Sequence, residues 1–137
     1  MGSETGPLVL LVEDNAADVS LIEEVLADEQ PAPRLHVVRD GAKALEFIRE
    51  SGTETHPALV LLDLNLPKVS GEEVLQHLRA TPGWEATKVL IISSSNAVRD
   101  RERAIALGAS GYFRKPFTLE QFMELGPRVR EMLGNAA

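Results

Sequence analysis

Five short apolar runs, separated by amphipathic stretches, constrain the fold of this chain of 137 residues more than any other feature. They lie at residues 8–12, 35–38, 58–62, 89–92 and 111–113. Runs of this length read as strands, and their nearly unbroken apolar character predicts burial on both faces of a parallel sheet. Helical stripes stand between them: Val19, Ile22, Val25 and Leu26 in one, Ala44, Leu45 and Ile48 in the next, Val74, Leu75 and Leu78 in a third. A fourth helix over about 98–107 is the least apolar, with Arg99, Asp100, Arg101, Glu102 and Arg103 on what reads as a solvated face. Asp40 is placed to cap the second helix, and Thr118 with Gln121 makes a capping-box pattern for the last. Gly126-Pro127 predicts a kink or break near Gly126.

Strand and helix therefore alternate as βαβαβαβαβα. The prediction is an α/β fold: a doubly wound, five-stranded parallel sheet with helices on both faces and right-handed crossovers. The length suits one domain with its own core. Lys and Arg number 14 against 21 Asp and Glu, a net charge of −7 that argues against a phosphate-neutralising nucleic-acid surface. With no cysteine, disulfides, thiolate metal sites and thiol nucleophiles drop out. His36, His56 and His77 are far apart and lack metal-site spacing, so they receive no role. No apolar run approaches the roughly 20 residues of a membrane span. The first six residues have no basic signal region, and Gly6 stands where a myristoylation motif needs Ser or Thr. A cytoplasmic location is the expectation.

A doubly wound fold puts its site in the crevice beyond the carboxyl ends of the strands. Strand one runs into Glu13-Asp14-Asn15, strand three into Asp63-Leu64-Asn65-Leu66-Pro67, strand four into Ser93-Ser94-Ser95-Asn96, and strand five into Arg114-Lys115-Pro116. Glu13, Asp14 and Asp63 should converge there. Three neighbouring carboxylates repel, so the cluster calls for a cation, and Mg²⁺ suits an all-oxygen site. The position after strand one, where a glycine-rich loop would hold a phosphate directly, is acidic. A phosphoryl group must then arrive with a metal. Beside Mg²⁺ the Asp63 carboxylate can attack phosphorus to give an aspartyl phosphate, with Lys115 and a serine hydroxyl from the end of strand four on the phosphoryl oxygens. Singly these parts are ordinary turn and cap residues, and the case rests on their conjunction with the strand order.

These residues resemble the receiver domain of two-component response regulators, a CheY-like family. The resemblance runs from about Leu8 to Leu133, through Leu-Val-Glu-Asp-Asn (11–15), Leu-Leu-Asp-Leu-Asn-Leu-Pro (61–67) with Gly71 beyond it, Ile-Ile-Ser-Ser-Ser (91–95) and Gly-Ala-Ser-Gly-Tyr-Phe-Arg-Lys-Pro-Phe (108–117). It implies that Asp63 takes a phosphoryl group from a histidine kinase. It further implies that Asp14, Asp63 and the Asn65 carbonyl bind Mg²⁺ directly, with Glu13 reaching it through water. Ser93 would be the switch hydroxyl, where threonine is commoner, and Ser94 and Ser95 stay open as modulators. Lys115 would bind the phosphoryl group and Tyr112 would be the switch aromatic, turning from exposed to buried. A cis Lys115–Pro116 peptide is implied as well. The output would be a rearranged face of helix four, strand five and helix five.

Three further segments resemble single-domain regulators paired with phytochrome-type kinases: the Gln30-Pro31-Ala32-Pro33 connection, Arg-Asp-Gly-Ala-Lys-Ala-Leu (39–45) and Leu-Arg-Ala-Thr-Pro-Gly-Trp (78–84). Such relatives imply a homodimer through helices four and five, to which Phe122, Met123 and Met132 would contribute, unless those residues face the core. Only 22 residues follow Lys115, so residues 1–137 are expected to be a single receiver domain with no output domain, a signalling phosphoacceptor rather than an enzyme. Two rivals stand. One is a haloacid-dehalogenase-like phosphatase, whose nucleophile would follow strand one with a second Asp two residues on, where this chain has Asn65 two residues after Asp63. The other is a flavin or nucleotide module, which would need a phosphate loop this chain lacks.

Overall fold

The computed structural model describes residues 6–51 and 56–134. Residues 1–5, most of the segment tested against the lipidation motif, lie outside them. Five strands, β1 (Leu8–Val12), β2 (Arg34–Val38), β3 (Leu59–Asp63), β4 (Lys88–Ser93) and β5 (Gly111–Arg114), alternate with α1 (Ala16–Ala27), α2 (Gly41–Glu50), α3 (Gly71–Ala80), α4 (Val98–Ala106), α5 (Leu119–Phe122) and α6 (Leu125–Leu133). All strand pairs are parallel, in the order β2-β1-β3-β4-β5. The chain reverses its winding at β1, which opens a crevice between the ends of β1 and β3.

Side chains alternate across a strand, and that parity sorts the core into two layers. Leu10, Val12, Val60, Leu62, Val89 and Ile91 pack on Ala44 and Ile48 of α2, Val74, Leu75 and Leu78 of α3, and Ala104 of α4. Val9, Leu11, Leu59, Leu61, Leu90, Ile92 and Phe113 pack on Val19, Ile22, Val25 and Leu26 of α1 and on Phe122, Leu125, Val129 and Leu133 of α5 and α6. The stripes expected from periodicity are the buried ones, except that Leu45 is half-buried. Helix starts follow local chemistry: Asn15 caps α1, Asp40 caps α2, Thr118 caps α5, and Ser70 with Glu73 forms a reciprocal box at α3.

Two expectations are corrected here, and a third is met. The second strand is not buried on both faces. It is an edge strand with Arg34 and His36 exposed, because nothing pairs beyond it. The break expected near Gly126 is present, at Met123-Glu124, and Pro127 falls in the first turn of α6. A proline costs nothing there, since first-turn N–H groups have no intrahelical acceptor. Gly126 serves a close approach instead: a Cβ would lie 2.6 Å from Glu29 Oε2 at the end of α1. Finally, Lys115–Pro116 is trans, and among the described residues the cis peptide is Gln30–Pro31. The isomers before proline differ by only about 1 kcal/mol, so tertiary context chooses.

Candidate functional site

The same parity that builds the core aims the strand-end residues. Glu13 continues the Val9 and Leu11 face, Asp63 the Leu59 and Leu61 face, and Lys115 the Phe113 face, so all three project to the α1 side of the sheet. Asp14, one step on from Glu13, reaches the crevice from the exposed rim. Carboxylate oxygens of Glu13, Asp14 and Asp63 lie within 4.8 Å of one another. Asp63 is nearly buried, and the Asn65 N–H donates to its Oδ1 at 3.0 Å. Glu13 is fully buried, with Oε2 accepting from the Asn15 N–H at 3.1 Å.

Lys115 supplies the cation inside this acidic group. Its Nζ lies 2.8 Å from Glu13 Oε1, 2.8 Å from Asp18 Oδ2 and 3.3 Å from Asp63 Oδ2. The Glu13 contact is an ion pair whose angles fall short of a hydrogen bond, whereas those to Asp18 and Asp63 meet hydrogen-bond geometry. Burial alone would lower the Lys115 pKa. Its contacts with Asp18 and Glu13 and the charge of Asp63 outweigh that and hold it above the ordinary lysine value. For Glu13, burial comes first and raises the pKa, Lys115 opposes it, and the neighbouring Asp63 adds to the rise. The site is thus an excess of negative charge incompletely offset by one ammonium.

An opening of about 500 Å³ is lined by Glu13, Asp14, Asp18, Asp63, Ser94 and Lys115, among others. The donor set is all oxygen and three carboxylates strong, which fits a hard divalent cation better than a soft one. Serine placement divides by parity as well. Ser93 is fully buried on the opposite layer, and its Oγ accepts from the Ser95 N–H at 3.1 Å. Ser94 faces the opening. Ser95 Oγ donates to Asp100 at 2.6 Å and accepts from the Ala97 N–H at 3.1 Å, so it ties the loop to the start of α4.

Tyr112 sits on the Ser93 layer with its ring buried, and its hydroxyl donates to the Ser95 carbonyl at 3.0 Å. The exposed starting position expected for it is not the arrangement found: the Ser95 carbonyl satisfies the hydroxyl, which removes the cost of burying it. The histidines stand apart from the opening. His36 lies against Phe47, and His56 packs on Trp84 and bonds Thr87 Oγ1. Sequence reasoning missed Asp18, whose place in the first turn of α1 reads as ordinary helix-end chemistry. It also missed Arg39, which donates from the end of β2 to the Asp14 carbonyl at 2.9 Å.

A parallel doubly wound sheet carrying buried carboxylates and one lysine at its topological switch point defines a class of protein: an α/β domain suited to phosphoryl chemistry with a hard metal. The profile of the response regulator receiver domain matches residues 9–125, and the chain belongs to that family, whose members act in two-component phosphorelay signalling. Response regulator Rcp1 from Synechocystis sp. is 33% identical over 130 residues, 91% of this chain and 88% of Rcp1. Probable methanogenesis regulatory protein FilR2 from Methanothrix harundinacea is 34% identical over 90% of this chain and 81% of its own. Among solved structures, the phosphorylated cyanobacterial phytochrome response regulator RcpA superposes with a TM-score of 0.87 at 33% identity, covering 97% of both chains. The Mn(2+)-bound form of Rcp1 gives 0.84 at 30% identity over 96% of both. Among the described residues no helix is long and apolar enough to cross a membrane.

Proposed function

We propose that Asp63 is the phosphoacceptor and that a sensor histidine kinase is the donor. The observation that carries this is the nearly buried Asp63 carboxylate, which meets the Lys115 ammonium and the Asn65 N–H and has two further carboxylates within 4.8 Å. Asp14, Asp63 and the Asn65 carbonyl would hold Mg²⁺ directly, with Glu13 reaching it through water. When bound, the ion neutralises the cluster and draws charge from the phosphoryl oxygens. An Asp63 carboxylate oxygen bonds to phosphorus as the P–N bond to the kinase histidine breaks, and the electron pair stays with the departing nitrogen. Lys115 donates to a phosphoryl oxygen throughout. Ser93 and the Ser94 end of the loop take the remaining oxygens, and the domain in this way assists both its own phosphorylation and its hydrolysis.

The new phosphoryl group carries about −1.5 to −2 charges and draws Ser93 toward it. Because Ser95 N–H bonds Ser93 while the Ser95 carbonyl holds Tyr112, that movement reaches the α4–β5–α5 face. The likeness to RcpA and Rcp1 supports a phytochrome-type kinase as partner, met in the cytoplasm. A homodimer would use this face. Of the three residues expected to build it, Phe122 is core and Met132 packs against the core, which leaves Met123 with exposed Val98, Ile105 and Leu119.

Labelling with acetyl phosphate and Mg²⁺ tests the proposal: the wild-type protein should be phosphorylated and Asp63→Asn should not. Labelling of the variant at the wild-type rate would remove Asp63 as acceptor. In the same samples, beryllofluoride should shift the sedimentation coefficient toward a dimer, and an unchanged profile would reject the dimer output.

A further inference from the structure

Lys115 has three N–H donors and meets three carboxylates. Two of these, Glu13 and Asp63, belong to the cluster suited to a metal, and Asp18 does not. Asp18 comes from another element, the first turn of α1, where the Asn15 cap fixes its backbone by a 3.0 Å bond from the Asp18 N–H. It reaches across 97 positions of sequence to Lys115 and holds Nζ at 2.8 Å, against 3.3 Å for Asp63. Both side chains are largely shielded, with 14% and 22% of their surfaces exposed for Lys115 and Asp18.

We propose that Asp18 is a positioning residue: it tethers the Lys115 ammonium beside Asp63 so that the lysine is in place when a phosphoryl group arrives. The inference rests on the function proposed above. Its logic lies in which contacts survive the reaction. Asp63 gives one oxygen to phosphorus and ceases to be an anionic partner, and Glu13 has the metal to serve. Asp18 does neither, so its bond is the one that keeps the ammonium on station before and after transfer. A flexible four-carbon side chain without that anchor would spend time away from the reacting atoms.

Asp18→Asn should slow acetyl phosphate labelling of Asp63 about tenfold, the usual worth of one charge-assisted hydrogen bond at a reacting centre. Asp18→Glu should recover part of the loss. In a Lys115→Met background, Asp18→Asn should cost nothing further, because the tether would have nothing left to hold. An unchanged rate, a faster one from relieved repulsion of the anionic donor, or an equal loss without the lysine would each overturn the proposal. A second reading is independent of phosphorylation. With ¹⁵N-labelled lysine, the Lys115 ammonium of the metal-free protein should exchange slowly in wild type and about tenfold faster in Asp18→Asn, and equal rates would again reject the tether. Failure of the wild-type protein to label strikes at the proposed function, whereas unaltered exchange strikes at Asp18.

Discussion

Replacing Asp14 by Asn should make the metal-free protein more stable and the metal-bound protein less responsive. Asp14 has carboxylate neighbours at Glu13 and Asp63 within 4.8 Å and no ion pair with Lys115. Lys115 offsets part of the charge of both neighbours, and the repulsion that Asp14 meets is what remains. Two unit charges at that separation repel by about 0.9 kcal/mol at a water-like dielectric of about 80, and by several times more in the interior. Asp14 is on the exposed rim, so the water-like end applies, and with Lys115 offsetting part of both partner charges the relief amounts to about 1 kcal/mol. For a domain of this size that raises Tm by about 3–5 °C. Measurement belongs at about pH 8, because Glu13 is pushed up to about 7 by burial and must be ionised to repel. The Arg39 bond to the Asp14 carbonyl is to backbone and survives the substitution.

The second arm is the metal. A ligand that binds only the folded state stabilises by about 2.7 kcal/mol at a hundredfold excess over its Kd. Wild type should gain that increment from MgCl₂, and Asp14→Asn, short of one carboxylate, should gain much less. Thermal melts in EDTA and in saturating MgCl₂ would then show the two proteins exchanging rank. A variant less stable than wild type in EDTA would mean that the carboxylates are not in conflict. An equal Mg²⁺ increment in both would mean that Asp14 is no ligand. Either result refutes the reasoning.

Two other perturbations follow from the packing around the site. In Gly71→Ala, the new Cβ would lie 2.3 Å from the Asp63 carbonyl oxygen and 2.7 Å from Leu64 Cα, backbone atoms that cannot yield. A loss of about 2–3 kcal/mol is expected, read as a lower urea midpoint, with labelling of Asp63 falling further than the folded fraction; an unchanged midpoint would show that α3 does not press on the acceptor strand. His56, packed on Trp84, has its pKa lowered by burial. The unfolded chain therefore binds the proton first, and stability, complete above about pH 6.5, falls as pH drops toward the folded value. Urea midpoints between about pH 5 and 7.5 should slope less in His56→Gln, and identical slopes would clear His56.

The strands, the helix stripes and the convergence of Glu13, Asp14 and Asp63 were legible because each depends on local pattern. A strand's period of two sets which side chains share a face, and a cap bonds within three residues. Parity even assigns Lys115 to the same side as Asp63 once the strands are known to be parallel. What pattern left open was pairing at a distance. Lys115 meets Asp18 because Lys115 projects to the layer that α1 covers; no feature near Asp18 announces it. Tyr112 is inward because the Ser95 carbonyl, 17 positions away in sequence, accepts its hydroxyl. Sequence by itself determined which residues are polar at which strand ends. Tertiary structure alone decided which of them touch, since strand order brings distant groups within hydrogen-bond range and burial then sets the strength of each contact.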